Sequence, residues 1–305
     1  MTEKRKALIA VIMGNFFFGT SVIAVKHISP TLIPALALTT IRVGVVCMLF
    51  WGMYLLKPVK MGINKRDYWR LILCGIAGIT CNQTFSMKGM SLTSPIHASL
   101  LILTSPITIS LMAAWFLKES LNWIKIIGLC LGISGGVVLV FSRDISSIAS
   151  SEQGLGDLFI ILGAISYSSY IILVKPLMAK YQASHILQWV FLFGAFVSIP
   201  LGWKSLSAVQ WFNFDSLSWF CLFYMVIGAT FIAYQLMNFS INKLGASVTG
   251  SFIYTQPFFA TVASVLILHE TISFTKIIAA LLIMGGVFLT NFKYIRSNER
   301  VSRKY

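Results

Sequence analysis

Ten apolar stretches fill this chain, each about as long as the hydrocarbon core of a bilayer is thick. They cover residues 7–25, 32–56, 69–87, 95–117, 122–141, 156–174, 185–203, 217–239, 246–268 and 273–292. A helix needs roughly 20 such residues to cross. The composition agrees: of 305 residues, 57% are hydrophobic and 11% charged, where a soluble domain carries about 25% charged residues. The expected fold class is all-α integral membrane, with ten transmembrane helices. Links between the stretches are mostly short, and the two longest, 57–68 and 142–155, are too small to fold alone. That excludes a separate soluble catalytic domain.

The formal net charge of +15 does not point to nucleic acid. The basic residues are not interleaved with aromatics on one domain; they sit between apolar runs, where membrane topology places them. With ten spans and a cytoplasmic N-terminus, 18 Lys and Arg lie on the cytoplasmic side and 5 opposite, with Arg42 inside a span. Both termini are therefore expected in the cytoplasm. Lys4, Arg5 and Lys6 precede an apolar run with no convincing small-residue cleavage site, so the run reads as an uncleaved first span. Cys47, Cys74, Cys81, Cys130 and Cys221 all lie in apolar runs without a CxxC pair, as small buried side chains do. No cofactor or metal is expected.

The chain repeats itself. GNFFFGTSVIAVK at 14–26 aligns with GAISYSSYIILVK at 163–175, an offset of 149. LTSPITISLMAAWFLKES aligns with YTQPFFATVASVLILHET at an offset of 151, placing Pro106 on Pro257 and Glu119 on Glu270. Each half then holds five spans. Because five is odd, the second half must enter the membrane upside down, the inverted-repeat plan of secondary transporters. The expected domains are a first five-helix repeat at 1–145, a connecting loop at 146–155, a second repeat at 156–295 and a basic tail at 296–305.

These motifs resemble the EamA-like branch of the drug/metabolite transporter superfamily. The resemblance is carried by Phe18-Gly19-Thr20-Ser21 with Lys26, Arg42 in the second span, Pro106, Leu117-Lys118-Glu119 and a glycine-rich fifth span. The second half repeats the scheme with Tyr167-Ser168-Ser169, Lys175, Pro257, Leu268-His269-Glu270, Gly285 and Gly286. Phe18 stands where the family usually has Trp. The resemblance implies a multi-pass protein of a bacterial inner membrane that exports amino acids or related amphipathic solutes. It also implies a central cavity built by the first, third and fourth helices of each half, and a structural role for Arg42.

Amides and ionisable groups at membrane depth are costly unless they face protein or a wet cavity. Asn15, Phe18, Asn82, Gln83, His97, Tyr167, Tyr234, Tyr254 and Gln256 are the candidate substrate contacts. Asn82 and Gln83 fit either a hydrogen-bonding patch for the solute or an interhelical clamp. His97 has the ordinary pKa of a proton carrier but also suits an interfacial position. Pro106 and Pro257 each remove a helix hydrogen bond and mark paired kinks that suit a gate. Glu119 and Glu270 are expected to accept backbone N–H bonds at the start of the next helix. The expected partners are a small-molecule substrate, the lipid bilayer and, weakly, a second copy of the chain. Gly132-Ile133-Ser134-Gly135-Gly136 matches GxSxG, the basis of an alternative reading as a membrane enzyme; a non-transporting scaffold is the other alternative. A nucleophile elbow needs a strand–turn–helix, and this serine falls within an apolar helix.

Overall fold

The computed structural model describes residues 3–29, 31–56, 62–92, 101–141 and 153–268, with 274, 277–278, 281–282, 284–286 and 288–290 beyond them. Every regular element among the described residues is helical. We label them α1 (Glu3–Ile28), α2 (Ala35–Leu56), α3 (68–92), α4 (Ser105–Leu117), α5 (Trp123–Phe141), α6 (Gln153–Met178), α7 (Ala183–Ser207), α8 (Ser216–Leu244) and α9 (246–268). Helical residues recur between 274 and 290. Five helices, at Glu3–Val25, Ala35–Leu56, Gly154–Met178, Ala183–Ser207 and Ser216–Leu244, are long and apolar enough to cross a membrane; Ser105–Leu117 and Trp123–Gly135 are shorter apolar helices.

The two halves pack through a pattern that survives their exchange. Helix α1 lies against α8 and α9, and its repeat mate α6 lies against α3 and α4. Helix α2 packs on its own mate α7, and α4 on α9. Trp51 meets Trp189 and Tyr54 meets His185 at one end of the α2–α7 pair, while Thr40 donates to the Ser198 carbonyl at the other. These mates therefore run antiparallel. On α5, Gly128 faces Thr290 while Gly132 and Gly286 abut, so that contact is antiparallel too. Mates that pair antiparallel about a shared axis place one half inverted against the other.

Two helices that are repeat mates each begin to widen in their first half. Ile76–Cys81 of α3 and Tyr224–Ile232 of α8 wind as π-helix. Each wide turn holds a glycine against an aromatic ring from the other half. A Cβ on Gly78 would lie 2.5 Å from the Tyr170 ring, and one on Gly228 would lie 3.1 Å from the Phe17 ring. The prolines also break regular winding. The stretch expected to run unbroken over 95–117 turns at 103–104 and resumes at Ser105, leaving Pro106 in the first turn, where its missing N–H costs least. In α9 a 3-10 turn at Phe252–Tyr254 precedes Pro257 in the same way. In each break a threonine, the two lying 151 positions apart, adds a hydrogen bond to the carbonyl three residues back: Thr104 Oγ1 donates to Leu101 O and Thr255 Oγ1 to Phe252 O, both at 2.6 Å.

At the ends of the helices, carboxylates tie one half to the other. Asp67, just before α3, accepts hydrogen bonds from Lys180 Nζ at 3.0 and 3.1 Å and from Tyr181 Oη at 2.8 Å, in the turn between α6 and α7. Asp215 caps α8 through Ser218 N and stands 4.0 Å from His27 near the end of α1. The Lys180 hydrogen bond holds the Asp67 carboxyl below the usual carboxylate range, against the opposing pull of burial.

Two predictions follow from this packing. In Gly128→Ala the new Cβ would sit 2.5–2.8 Å from Thr290 and the Gly286 carbonyl, so unfolding in detergent should show a loss of about 1–3 kcal/mol. Gly52→Ala, with nothing within 4 Å, should leave stability unchanged. Because the folded-state pKa of Asp67 is depressed, its contribution is present above the ordinary Asp value near ~4 and is lost as pH falls through the lower folded value. Asp67→Asn should cost about 1–2 kcal/mol at neutral pH, discounted for screening of Lys180, which is 53% exposed. Thermal unfolding of both proteins from neutral to acid pH should show the difference closing only below that range.

Candidate functional site

Three residues one turn apart on α8, Thr230, Tyr234 and Asn238, form a buried polar seam. Residues four apart share a helix face, so all three turn toward the same neighbours. Thr230 Oγ1 accepts from Arg42 Nε of α2 at 2.8 Å. Tyr234 Oη accepts from Gln83 Nε2 of α3 at 3.4 Å and donates to the Gly78 carbonyl at 3.2 Å. Asn238 Oδ1 accepts from Tyr170 Oη of α6 at 2.8 Å. The seam thus binds α8 to α2, α3 and α6.

The wide turns make two of these contacts. In α3 the widened winding contains Gly78, whose carbonyl Tyr234 takes. In α8 it lets Thr230 donate to Met225 O, five residues back, at 2.7 Å, while its lone pairs remain for Arg42. Local π-turns are frequent at functional sites for this reason.

Gln83 and Tyr234 are 151 positions apart, repeat mates by the offset that joins Pro106 to Pro257. Residues that touch their own mates lie on the axis between the halves. Phe18 of α1 packs edge-on to the Tyr234 ring at 5.9 Å, and Tyr167, the mate of Phe18, lies 6.1 Å from the Tyr170 ring. Phe18, Gln83 and Tyr234 therefore converge at one place, with Tyr167 beside it.

The remaining candidates are spread around this centre. Asn15 is fully buried; its Nδ2 donates to Val11 O and its Oδ1 accepts from Gln256 Nε2 at 2.8 Å, joining α1 to α9. Asn82 Nδ2 donates to Gly163 O at 3.0 Å, joining α3 to α6. Tyr254 is walled off on another side: its ring lies over Gly132 of α5, and its buried hydroxyl has no partner among the described residues. His97 and Glu270 lie outside the described residues. Ser134 Oγ donates to the Cys130 carbonyl one turn back, as a helical serine does.

Glu119 serves a different helix from the one expected. Its Oε1 and Oε2 accept from Ala246 N at 3.0 Å and Ser247 N at 3.2 Å, at the start of α9 in the other half. The start of α5 is capped instead by Asn122, which accepts from Lys125 N. Beside Glu119, Lys175 Nζ donates to the Ile241 and Asn242 carbonyls at the end of α8. The α8–α9 turn therefore carries an anion at the helix start and a cation at the helix end, each matched to the local dipole. Between them Gly245 has φ 94°, which only glycine adopts without strain.

Thr230, Tyr170 and Asn238 are not among the candidate contacts read from the sequence. The spacing 230, 234, 238 is the signal that finds them: three hydrogen-bonding side chains on one face of an otherwise apolar helix.

Inverted sets of apolar helices closing on a polar seam at their common axis define a membrane transporter. The chain belongs to the EamA-like transporter family, whose model matches residues 5–141 and again 154–292. It is 25% identical over 287 residues to a WAT1-related chloroplastic protein of Arabidopsis thaliana, covering 91% of this chain and 67% of that one. An uncharacterized transporter of Archaeoglobus fulgidus is 24% identical over 298 residues, covering 96% and 99%. The uncharacterized transporter YetK of Bacillus subtilis is 24% identical over 231 residues, covering 76% and 70%. A crystal structure with 20% sequence identity superposes with a TM-score of 0.81 over 95% of this chain and 98% of the other, showing the same fold.

The Glu119 geometry sets an order of stabilities. Glu119→Ala strands two backbone N–H groups and should cost about 1–3 kcal/mol. Glu119→Gln keeps one acceptor and should fall between alanine and wild type in thermal unfolding.

Proposed function

We propose that the chain is a secondary transporter that crosses a cell's inner membrane ten times with both termini in the cytoplasm. It exports small amphipathic metabolites, amino acids or their relatives, by alternating access. The observation that carries this reading is the Gln83–Tyr234 contact between repeat mates. A site on the axis belongs equally to both halves, so rocking one inverted half against the other exposes it to either side in turn. Phe18 and Tyr167 offer apolar surface with Gln83 and Tyr234 as hydrogen-bonding groups, while Asn15, Asn82 and Gln256 tie the surrounding helices. The breaks before Pro106 and Pro257 supply paired hinge points.

Uptake into vesicles reconstituted with the purified protein tests this, screening amino acids and related metabolites with and without an imposed pH gradient. At least one compound should enter saturably, and protein-free vesicles should not take it up. Gln83→Ala and Tyr234→Phe should each weaken its apparent affinity about tenfold, the scale of one lost hydrogen bond to a bound group. Tyr254→Phe, whose hydroxyl faces no open space, should leave it unchanged. A protein that moves none of the compounds contradicts the reading.

A further inference from the structure

Arg42 is 5% exposed and packed among apolar helices, yet its surroundings supply almost nothing to balance it. Its Nε donates to the Thr230 hydroxyl, a neutral group. No carboxylate among the described residues lies within ion-pair distance of it. A guanidinium carries five N–H donors and keeps its proton at neutral pH. Thr230 accounts for one, and the terminal nitrogens, which hold the other four, have no hydrogen-bond partner among the described residues.

Those nitrogens are not sealed against a dry wall either. Among the described residues, the buried side-chain atoms that lack any partner belong to Trp51, His185, Trp189, Thr249 and Tyr254. Arg42 is not among them, so its free donors are not fully enclosed by the described residues. An ion buried without a counter-charge costs several kcal/mol. Such a group is stabilised when an oxyanion arrives.

Its location fixes where that anion would sit. Thr230 lies midway along α8 and one turn from Tyr234, which meets Gln83 and the Phe18 ring. The cation therefore borders the axial site and its aromatic surface. Gly44 and Gly194 align the second helices of the two halves at an offset of 150, which puts Leu192 opposite Arg42. Only the first half carries a charge at this position.

We infer that Arg42 binds the carboxylate of the transported solute through its two terminal nitrogens, with Thr230 holding the guanidinium plane in position. The solute is then a monocarboxylate with an apolar body that rests on Phe18 and Tyr234. A guanidinium fork matches a carboxylate in two parallel hydrogen bonds. Thr230 is a positioning residue. This inference rests on the axial site proposed above and names the charge class of its substrate.

Matched pairs that differ only in the carboxylate test it. Phenylacetate and phenylacetamide, phenylalanine and phenylalaninamide, and isovalerate and isovaleramide are titrated against the full-length protein in detergent. Binding is read from the rise in unfolding temperature, and the same compounds are followed into reconstituted vesicles. In at least one pair the acid should bind about tenfold more tightly than the amide. Arg42→Gln should bring the two within about twofold, Arg42→Lys should keep part of the preference, and Phe18→Ala should weaken both members alike. If Arg42→Gln does not fold, Thr230→Val, which keeps the charge and removes its anchor, should narrow the ratio instead.

Equal binding of acid and amide by the wild type overturns the inference, as does a preference that survives Arg42→Gln or, where that variant does not fold, Thr230→Val. Acids and amides that enter vesicles equally well leave the transporter reading intact and remove only the anion. Failure of every compound to bind or enter removes both.

Discussion

A backbone amide or carbonyl in hydrocarbon has no water to turn to, and leaving one unpaired costs several kcal/mol. That constraint keeps the departures from regular helix inside the bundle, where other helices and side chains surround them. The irregular segments face other helices, and side chains add hydrogen bonds to their carbonyls: Tyr234 to that of Gly78, Thr230 to that of Met225, Thr104 to that of Leu101 and Thr255 to that of Phe252. These irregular places are also where polar side chains converge. The polar interior is built from the demands of the backbone as much as from the choice of side chains.

The same economy governs the connections. The α8–α9 turn is held by Lys175 from its own half and Glu119 from the other. Asp67 reaches across to the α6–α7 turn in a comparable way. Both carboxylates sit at helix ends, where they pair with backbone N–H groups or exposed side chains. The interior seam among the described residues is left with amides, hydroxyls and one guanidinium. In the function proposed, such a site recognises shape and hydrogen-bonding groups, with a single fixed positive charge beside it.

Much of the architecture was legible in the sequence because lipid makes helices announce themselves. Apolar length gave the helical stretches, and two offsets of 149 and 151 gave the repeat. Interior packing was not legible. Nothing in IAGITC marks a wide turn; it arises where Gly78 meets the Tyr170 ring, a contact between residues 92 positions apart. Glu119 was identifiable as a helix-capping carboxylate, but local reasoning assigned it to the nearest helix when tertiary packing brings a distant one closer. Phe18, Gln83 and Tyr234 were found by their polarity or their motif and do converge. Tyr254 was found by the same logic and packs elsewhere, because helical position alone does not say which face a neighbour covers.

The wide turns carry a record of ancestry. An extra residue slipped into a helix shifts every later side chain by about 100°, and a bundle accepts such a slip only if its neighbours are already arranged for it. Wide turns in both α3 and α8, six and nine residues long, are most simply traced to one in a five-helix ancestor whose gene was doubled, their lengths having drifted apart since. Features present on one side only, such as Arg42 opposite Leu192, then date from the time after the two copies were joined and free to diverge.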